Sequence, residues 1–506
     1  MGSGLVSAES RALPLAQCRL DSLELALREH PAVADAHVEP ALSASASDRL
    51  TALIVPARAG SNEAEREHVK RWSDVYDSLY AGSTGTYEAT FNTAGWRSRS
   101  DRKPIAESDM RAWARDTVER ILADAPATVL EVGCGTGLLL FPTAPFCRRY
   151  LGTDASATAI DILRPVLARE RVTSPWAANV ELAHCPAHEI ARATHGRAFD
   201  TVILNSVVQH FPSVEYFEQA LAVLLGVTER PGRIYIGDIR NLRLLTTFHV
   251  ATALSRARPY ATLEELRERV RRGTAAETEL LLSPEYFLTL QHRFPDIRHV
   301  EIQLKRGRYL DELSLFRYEV VLHLGDVRTV PLELQLCWSP EMDCAFLQRL
   351  LVRHRPPTLH VRAVPNRSLD ACCLRADALR YGHIGRAQEL ESIGLESNSS
   401  SAPDPGLEPS AVVRSGRAFG YSVEIHRAAD GNPRRFDAVF RNTSPRGPLP
   451  LLPATTPPAL AKATMAQTAP PSMEHLGEVL RSYLERRFPE QAPPSCLFIA
   501  PRLSPT

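Results

Sequence analysis

Between residues 108 and 240, apolar runs of strand length alternate with amphipathic stretches of helix length, and this alternation limits the fold more than any other feature. ATVLEVG, YLGTD, FDTVILNS and RIYIGD read as short buried strands. Strands that alternate with helices in this way form an α/β fold, a parallel sheet covered by helices on both faces. The helix before the first strand is expected from SDMRAWARDTVERILADAP, with Ser108 as N-cap and Met110, Trp113, Val118, Ile121 and Leu122 as its apolar face. VEIQL and FRYEVVLHL, farther along, are expected to complete the same sheet.

The flanks have a different texture. LDSLELALRE reads as a short helix, HPAVADAHV as a turn and a strand, and RLTALIVPA as a second strand. TLEELRERVRR carries charge on most faces and is expected to be a solvated helix. Residues 395–410 are low in complexity and read as a loop, and residues 443–474 hold eight prolines and read as a linker. EHLGEVLRSYLERRF then regains a helical pattern, and CLFIAPRL closes as a short strand. A length of 506 residues allows several such units, at roughly 100–200 residues per domain.

Charge narrows the partners. With 59 basic and 59 acidic side chains the formal net charge is zero, so no basic footprint for nucleic acid or an anionic membrane is present. No apolar run of membrane-spanning length and no signal-peptide pattern is read in the sequence. Nine cysteines without a CxxC pair suit a reducing cytoplasm, and no metal site is expected because the Cys and His residues lack ligand spacing.

The chemical signal is Glu131-Val-Gly-Cys-Gly-Thr-Gly137, directly after a strand and opening a helix. Gly133, Gly135 and Gly137 let the backbone turn tightly and approach a ligand, with Cys134 between them. Asp154 follows Gly133 by 21 residues, at the end of the next strand, where a carboxylate can accept hydrogen bonds from two ribose hydroxyls. Together they predict a nucleoside site, and the absence of GK[ST] after the glycines argues against a phosphate-binding P-loop.

EVGCGTGLLLF, LGTDAS, LNSVVQHFPSVEYF, GDIRNLRLLTTFH and QLKRGRYLDELSLFRYEVVLH, with RWSDVYDSLY and FNTAGWRSRSDRKPIAESDMRAWARDTVERIL before them, resemble the S-adenosylmethionine methyltransferase domains embedded in nonribosomal peptide synthetases. The resemblance implies a Rossmann-like class I methyltransferase sheet over residues 66–440, with a cofactor-binding core at about 108–325 and an extension at 326–440. LELALREHPAVADAHV and LRSYLERRFPEQAPPSCLFIAPRLSPT resemble the beginning and end of the small α+β C-terminal subdomain of an adenylation domain. Residues 1–60 and 475–506 are therefore expected to be two fragments of one interrupted subdomain. The family's GWNSSYTG stands here as Gly95-Trp-Arg-Ser-Arg-Ser-Asp-Arg, and its VVQYFP as Val207-Val-Gln-His210-Phe-Pro. The adenylation core motifs and a carrier-protein serine motif are absent from this sequence, so the chain is not expected to adenylate by itself.

The implied cofactor is S-adenosylmethionine, held by Glu131, Gly133, Cys134, Gly135, Gly137, Asp154, Ala155 and Asn205. Ala187 and His188 fall where this fold contacts the adenine, and Tyr76 and Trp96 are candidates for a lid. The implied partners are a peptidyl carrier protein bearing a phosphopantetheine-bound aminoacyl group and the adenylation core of the same assembly line. His210 and Asp238, at the carboxyl edge of the sheet, are candidates for a base and the carboxylate that orients it. Asn205, Arg240, Asn241 and His249 complete the catalytic candidates, and Arg97, Arg99 and Arg102 are singled out by the altered motif. Methylation of the α-nitrogen is the favoured reaction. The alternatives are other chemistry at the α-carbon (C-methylation, epimerisation, an aminomutase or dehydratase step) with His210 as base, or a scaffold without catalysis.

Overall fold

The computed structural model describes residues 20–30, 32–41, 50–57, 62–82, 87–306, 312–327, 329–381, 386–393, 406–442, 449–450, 476–489 and 494–498. Most of the proline-rich stretch at 443–474, and most of the low-complexity stretch at 395–410, lie outside these residues.

A helix over residues 20–29 (α1) leads into two antiparallel strands, β1 (Val33–Pro40) and β2 (Leu50–Pro56). A long helix, α2 (Asn62–Ala81), then precedes α3 (Glu107–Leu122). The α3 helix starts one residue before the expected cap: Ala106 is its N-cap, with no side-chain hydrogen bond, and Ser108 Oγ donates instead to Asp109 Oδ1 at 3.2 Å. The five strands that follow are β3 (Thr128–Val132), β4 (Arg149–Asp154), β5 (Val180–His184), β6 (Phe199–Asn205) and β7 (Thr228–Arg240). All pair in parallel, in the order β5-β4-β3-β6-β7. Two helices of this stretch are α4 (Ala157–Thr173), capped by Ser156, and α5 (Val214–Val227), capped by Ser213.

The sheet continues past β7, but antiparallel. After the helices α6 (Leu245–Ser255), α7 (Leu263–Ala275) and α8 (Pro284–Arg293), the strands β8 (Ile297–Leu304) and β9 (Arg317–Leu324) add in the order β7-β9-β8. The α7 helix is not solvated on all sides. Its Leu263, Leu266 and Val270 are buried against Ala376, Leu379 and Leu390, because the charges cluster on the other face and Thr262 closes a capping box with Glu265.

The extension adds β10 (Leu334–Cys337), α9 (Cys344–His354), β11 (Thr358–Pro365), α10 (Arg367–Tyr381), α11 (Pro409–Arg417), β12 (Ser422–Arg427) and β13 (Arg435–Arg441). Its strands join the sheet through one register pair, His426 with Gln303, so eleven strands form a single mixed sheet. That half has its own core, built on Leu359, Val361, Ile425, Phe436 and Phe440. Each such side chain stabilises by roughly 1.5–3 kcal/mol on full burial.

Finally α12 (Leu476–Arg487) and β14 (Ser495–Phe498) return to the beginning of the chain. β14 pairs in parallel with β2, and Leu476, Leu480 and Leu484 pack on Leu23, Leu27, Val38 and Ile54. The two ends thus build one small lobe. It is tied to the large body by Asp35, which accepts from the Ser283 amide at 2.7 Å, and by the Arg243–Glu24 pair at 2.7 Å. Among the described residues no helix is long and apolar enough to cross a membrane, and the described cysteines are unpaired.

Candidate active site

The chain runs outward from β3 to β5 and then reverses to β6 and β7, which opens a crevice between the carboxyl ends of β3 and β6. A cleft of about 280 Å³ lies there. Its floor is the glycine turn. Gly133 has φ +80°, and a Cβ added to it would stand 2.3 Å from Val207 Cγ2, so the turn and the β6 loop pack without room for a side chain. The Gly133 and Cys134 amides donate to the Thr153 carbonyl at 2.7 and 2.9 Å, which holds the turn against β4. Gly137 faces away from the cleft, packed on Phe141 and Leu163.

Asp154 sits beside the turn. Its two carboxylate oxygens accept from the Gly135 amide at 2.7 Å and the Ser156 amide at 2.8 Å. A carboxylate has about four acceptor positions, so two remain for ligand hydroxyls. Burial pushes the Asp154 carboxyl up, and the two amides oppose that shift. Behind the turn, Glu131 accepts from the Tyr150 hydroxyl at 2.7 Å, and burial pushes its carboxyl up to about 8. A cradle that a single Cβ would fill and a carboxylate with spare acceptors fit the adenosine of S-adenosylmethionine. Ala155 and Ala187 line the same end of the cleft. His188 does not line it: its Nδ1 pairs with the Tyr216 hydroxyl at 2.7 Å.

The roof is α2, which presents Trp72, Tyr76 and Tyr80. Asp77 on the same helix accepts from the Ser156 hydroxyl at 2.5 Å and the Thr158 amide at 3.0 Å, tying the roof to the start of α4. Trp96 closes another side, packed at a tilt of 54° against Trp113 with centroids 4.6 Å apart.

At the far end of the cleft stands His210. Its Nε2 pairs with the Tyr76 hydroxyl at 2.9 Å, and its ring packs on Trp72 at 4.5 Å. Burial first, with Arg317 and Arg99 working against the nearby Glu279 carboxylate, holds its pKa down at about 4, so the imidazole is neutral at pH 7. Asn205 lines the cleft beside it, with Nδ2 donating to Ser206 Oγ at 3.3 Å.

The expected His210–Asp238 pair does not form. Asp238 is fully buried and accepts from Trp113 Nε1 at 3.2 and 3.0 Å and from Ser206 Oγ at 2.6 Å, and it pairs with Lys305. Burial raises its carboxyl, but Lys305 and Arg317 more than offset this and leave it below the usual range. Three more candidates lie behind the cleft wall rather than on it. Arg240 Nη1 pairs with Glu277 at 2.8 Å and Glu279 at 2.9 Å, and His249 Nε2 lies 3.6 Å from Glu277. Asn241 caps a turn by accepting from the Arg243 amide at 3.0 Å. Of the arginines in the altered motif, Arg97 and Arg99 reach the cleft, whereas Arg102 is exposed outside it.

The structure adds three charged residues to the wall, Glu279, Glu312 and Arg317. Glu312 and Arg317 lie within the segment QLKRGRYLDELSLFRYEVVLH, but no spacing in the sequence marks them. Glu279 follows a helix whose pattern gives no sign of what lies opposite it. Elsewhere, Glu301, Glu424 and His426 bring metal-ligating atoms together at the seam between β8 and β12. Glu424 is already paired with Arg441, so arginine offsets part of that negative charge.

Residues 130–234 match the family model for a methyltransferase domain. Chondramide synthase cmdD of Chondromyces crocatus is 33% identical over 501 residues, covering 96% of this chain and 12% of that protein. The nonribosomal peptide synthetase asqK of Emericella nidulans is 32% identical over 403 residues, covering 76% of this chain and 15% of its own length. The chain therefore spans a small part of the curated relatives it matches. Among solved structures, the N-methyltransferase NodS of Bradyrhizobium japonicum WM9 with S-adenosyl-l-homocysteine overlaps 50% of this chain and 98% of its own, at 14% identity and a TM-score of 0.32, too loosely to carry an assignment. The family match, the strand order and the nucleoside end of the cleft agree: the chain carries a methyltransferase domain, dependent on S-adenosylmethionine, of the kind embedded in nonribosomal peptide synthetases.

Proposed function

We propose that this chain methylates the α-nitrogen of an aminoacyl group carried as a phosphopantetheine thioester on a peptidyl carrier protein. When bound, S-adenosylmethionine supplies a methyl group activated on a sulfonium. Glu131, Gly133, Cys134, Gly135, Asp154, Ala155 and Ala187 would hold it, under the roof formed by Tyr76 and Trp96. What remains for the protein is to hold the nucleophile close and in line, where well-oriented groups gain most of their rate.

The observation that carries this reading is the company His210 keeps. Carbon-acid chemistry needs a strong, oriented base and a stabilised enolate. His210 is instead bonded to a neutral tyrosine, with a pKa of about 4, while Asp238 is committed to Trp113, Ser206 and Lys305. An α-amine, with a pKa of roughly 7.7–8, is partly neutral at physiological pH and needs no such base. His210 and Tyr76 can then orient the amine without competing for its proton.

The small lobe, from residues 20–57 and 476–498, fits the two parts of an adenylation C-terminal subdomain into which the methyltransferase body is inserted. The adenylation core of the same assembly line would lie against it. Such a system draws S-adenosylmethionine from the cytoplasm, where we place it. The test is to load a carrier protein with a panel of aminoacyl groups and follow product mass and α-proton exchange, with and without S-adenosylmethionine. Gain of one methyl that requires the cofactor supports the proposal. Entry of solvent deuterium at the α-carbon without methylation sinks it.

A further inference from the structure

The wall of the cleft also holds a largely buried carboxylate. Glu279 lines the cleft and is nearly buried, its side chain 12% exposed. Its Oε2 is taken by two arginines, Arg240 Nη1 at 2.9 Å and Arg99 Nη1 at 3.0 Å. Among the described residues no hydrogen bond is made to its Oε1.

The position of Glu279 is fixed from both sides. Arg240 and Arg99 also reach Glu277, at 2.8 and 3.4 Å, and His249 Nε2 lies 3.6 Å from Glu277, so two carboxylates and two guanidiniums form a balanced quartet. The next residue, Leu280, donates its amide to the Gln209 carbonyl at 2.9 Å, which locks this segment to the turn that carries His210. Glu279 and His210 therefore share one end of the cleft, away from the nucleoside end at Asp154.

We propose that Glu279 binds the reacting amine of the substrate, accepting an N–H hydrogen bond at Oε1 and offsetting the positive charge that the nitrogen acquires as it takes the methyl. This rests on the N-methylation reading. In the transfer, the amine lone pair forms the new N–C bond while the methyl–sulfur bond breaks and its electron pair stays with sulfur. The nitrogen is left with a positive charge and a surplus proton, which passes to water at the cleft mouth. A carboxylate aimed at charge that appears only in the transition state lowers the barrier without tightening the ground state equally. Its two arginine partners matter for the same reason. An unpaired carboxylate would hold the amine as a non-nucleophilic ammonium, whereas the paired one still accepts a hydrogen bond with much of its charge offset. Arg240 and Arg99 are positioning residues in this account.

The test compares binding as well as turnover, so that it does not depend on the reaction. A panel of L-aminoacyl-pantetheine amides and their α-deamino counterparts is titrated into the full chain and into Glu279→Gln, with calorimetry of S-adenosylmethionine as the check on folding. The wild type is expected to favour the amine-bearing probes by about tenfold or more, the scale of one hydrogen bond to a charged group, and Glu279→Gln is expected to lose that preference. In turnover, kcat should fall about tenfold or more, and the acid limb of its pH profile should move to lower pH, since the carboxylate no longer raises the pKa of the bound amine. Equal binding of both probe sets, binding of neither, or a preference that survives in Glu279→Gln overturns the proposal. Should Glu279→Gln not fold, Glu279→Asp, which keeps the charge but withdraws it by one methylene, must still lose part of the preference; an unchanged preference overturns the proposal. A wild type that favours the amine yet methylates no nitrogen sinks the N-methylation reading and leaves amine binding at Glu279 standing.

Discussion

Replacing Gly133 by alanine strikes the floor of the cleft at the one point where two independent penalties coincide. The backbone there has φ +80°, a region that costs an L-residue roughly 1–2 kcal/mol. The new Cβ would stand 2.3 Å from Val207 Cγ2, so Val207 or the turn must move, and overpacking of this kind costs roughly 1–3 kcal/mol. The sum, roughly 2–5 kcal/mol, should appear in chemical unfolding, and calorimetry should show loss of S-adenosylmethionine binding as the turn retreats from β6. The two penalties can be separated. Val207→Ala removes the offending Cγ2, so the double variant Gly133→Ala with Val207→Ala should recover the steric part and leave roughly the 1–2 kcal/mol of backbone strain. Additivity of the two single variants to within about 0.5 kcal/mol, or a Gly133→Ala protein as stable as the parent, would refute the reasoning.

Other outcomes follow from buried charge. Burial pushes the Glu131 carboxyl up to about 8, far above an ordinary glutamate, so the native state binds the extra proton and stability declines as pH rises through that interval. Glu131→Gln should therefore unfold at higher temperature than the parent at pH 8, and the advantage should vanish at pH 4.5. For His210 the sign is opposite. With a folded pKa of about 4 against 6.5, its contribution is complete above pH 6.5 and is lost as pH falls toward 4, a span of on the order of 3 kcal/mol that His210→Gln should remove from the stability profile. Asp238→Asn removes one of the two carboxylates paired with buried Lys305, leaving Glu319 at 2.6 Å, and should cost about 1–3 kcal/mol in unfolding experiments, with the pH profile of kcat unchanged in the folded fraction. Tyr76→Phe strips His210 Nε2 of its partner and should lower kcat, while S-adenosylmethionine affinity should hold because the phenylalanine ring keeps the roof in place.

The glycine turn and its acid were legible because they are local. A strand, a glycine turn and an acid one strand later lie close together in sequence, and Gly133, Gly135 and Asp154 meet as the spacing predicts. The acceptor half was not, because it is assembled over long range. Tyr76 reaches His210 across 134 residues, and Arg99 reaches Glu277 across 178. Asp238 illustrates the error this invites. Its place at the end of β7 resembles that of His210 at the end of β6, but its φ of +60° and its bonds to Trp113 and Lys305 turn it into the core. The solvated appearance of α7 failed for a related reason, since three buried apolar side chains, Leu263, Leu266 and Val270, suffice to dock a helix however charged the rest of it is. The extension was legible as a stretch of chain but not as four more strands of the same sheet, because only one pair, His426 with Gln303, joins the halves.

The central claim is that the methyl goes to nitrogen. It is tested most directly by giving this chain an aminoacyl-loaded carrier protein and S-adenosylmethionine with an isotope-labelled methyl, then locating the label in the released product by nuclear magnetic resonance. Label bonded to the α-nitrogen, with the α-proton retained from the starting amino acid, is the predicted result. Label on carbon, or an α-proton exchanged with solvent and no label at all, would contradict it.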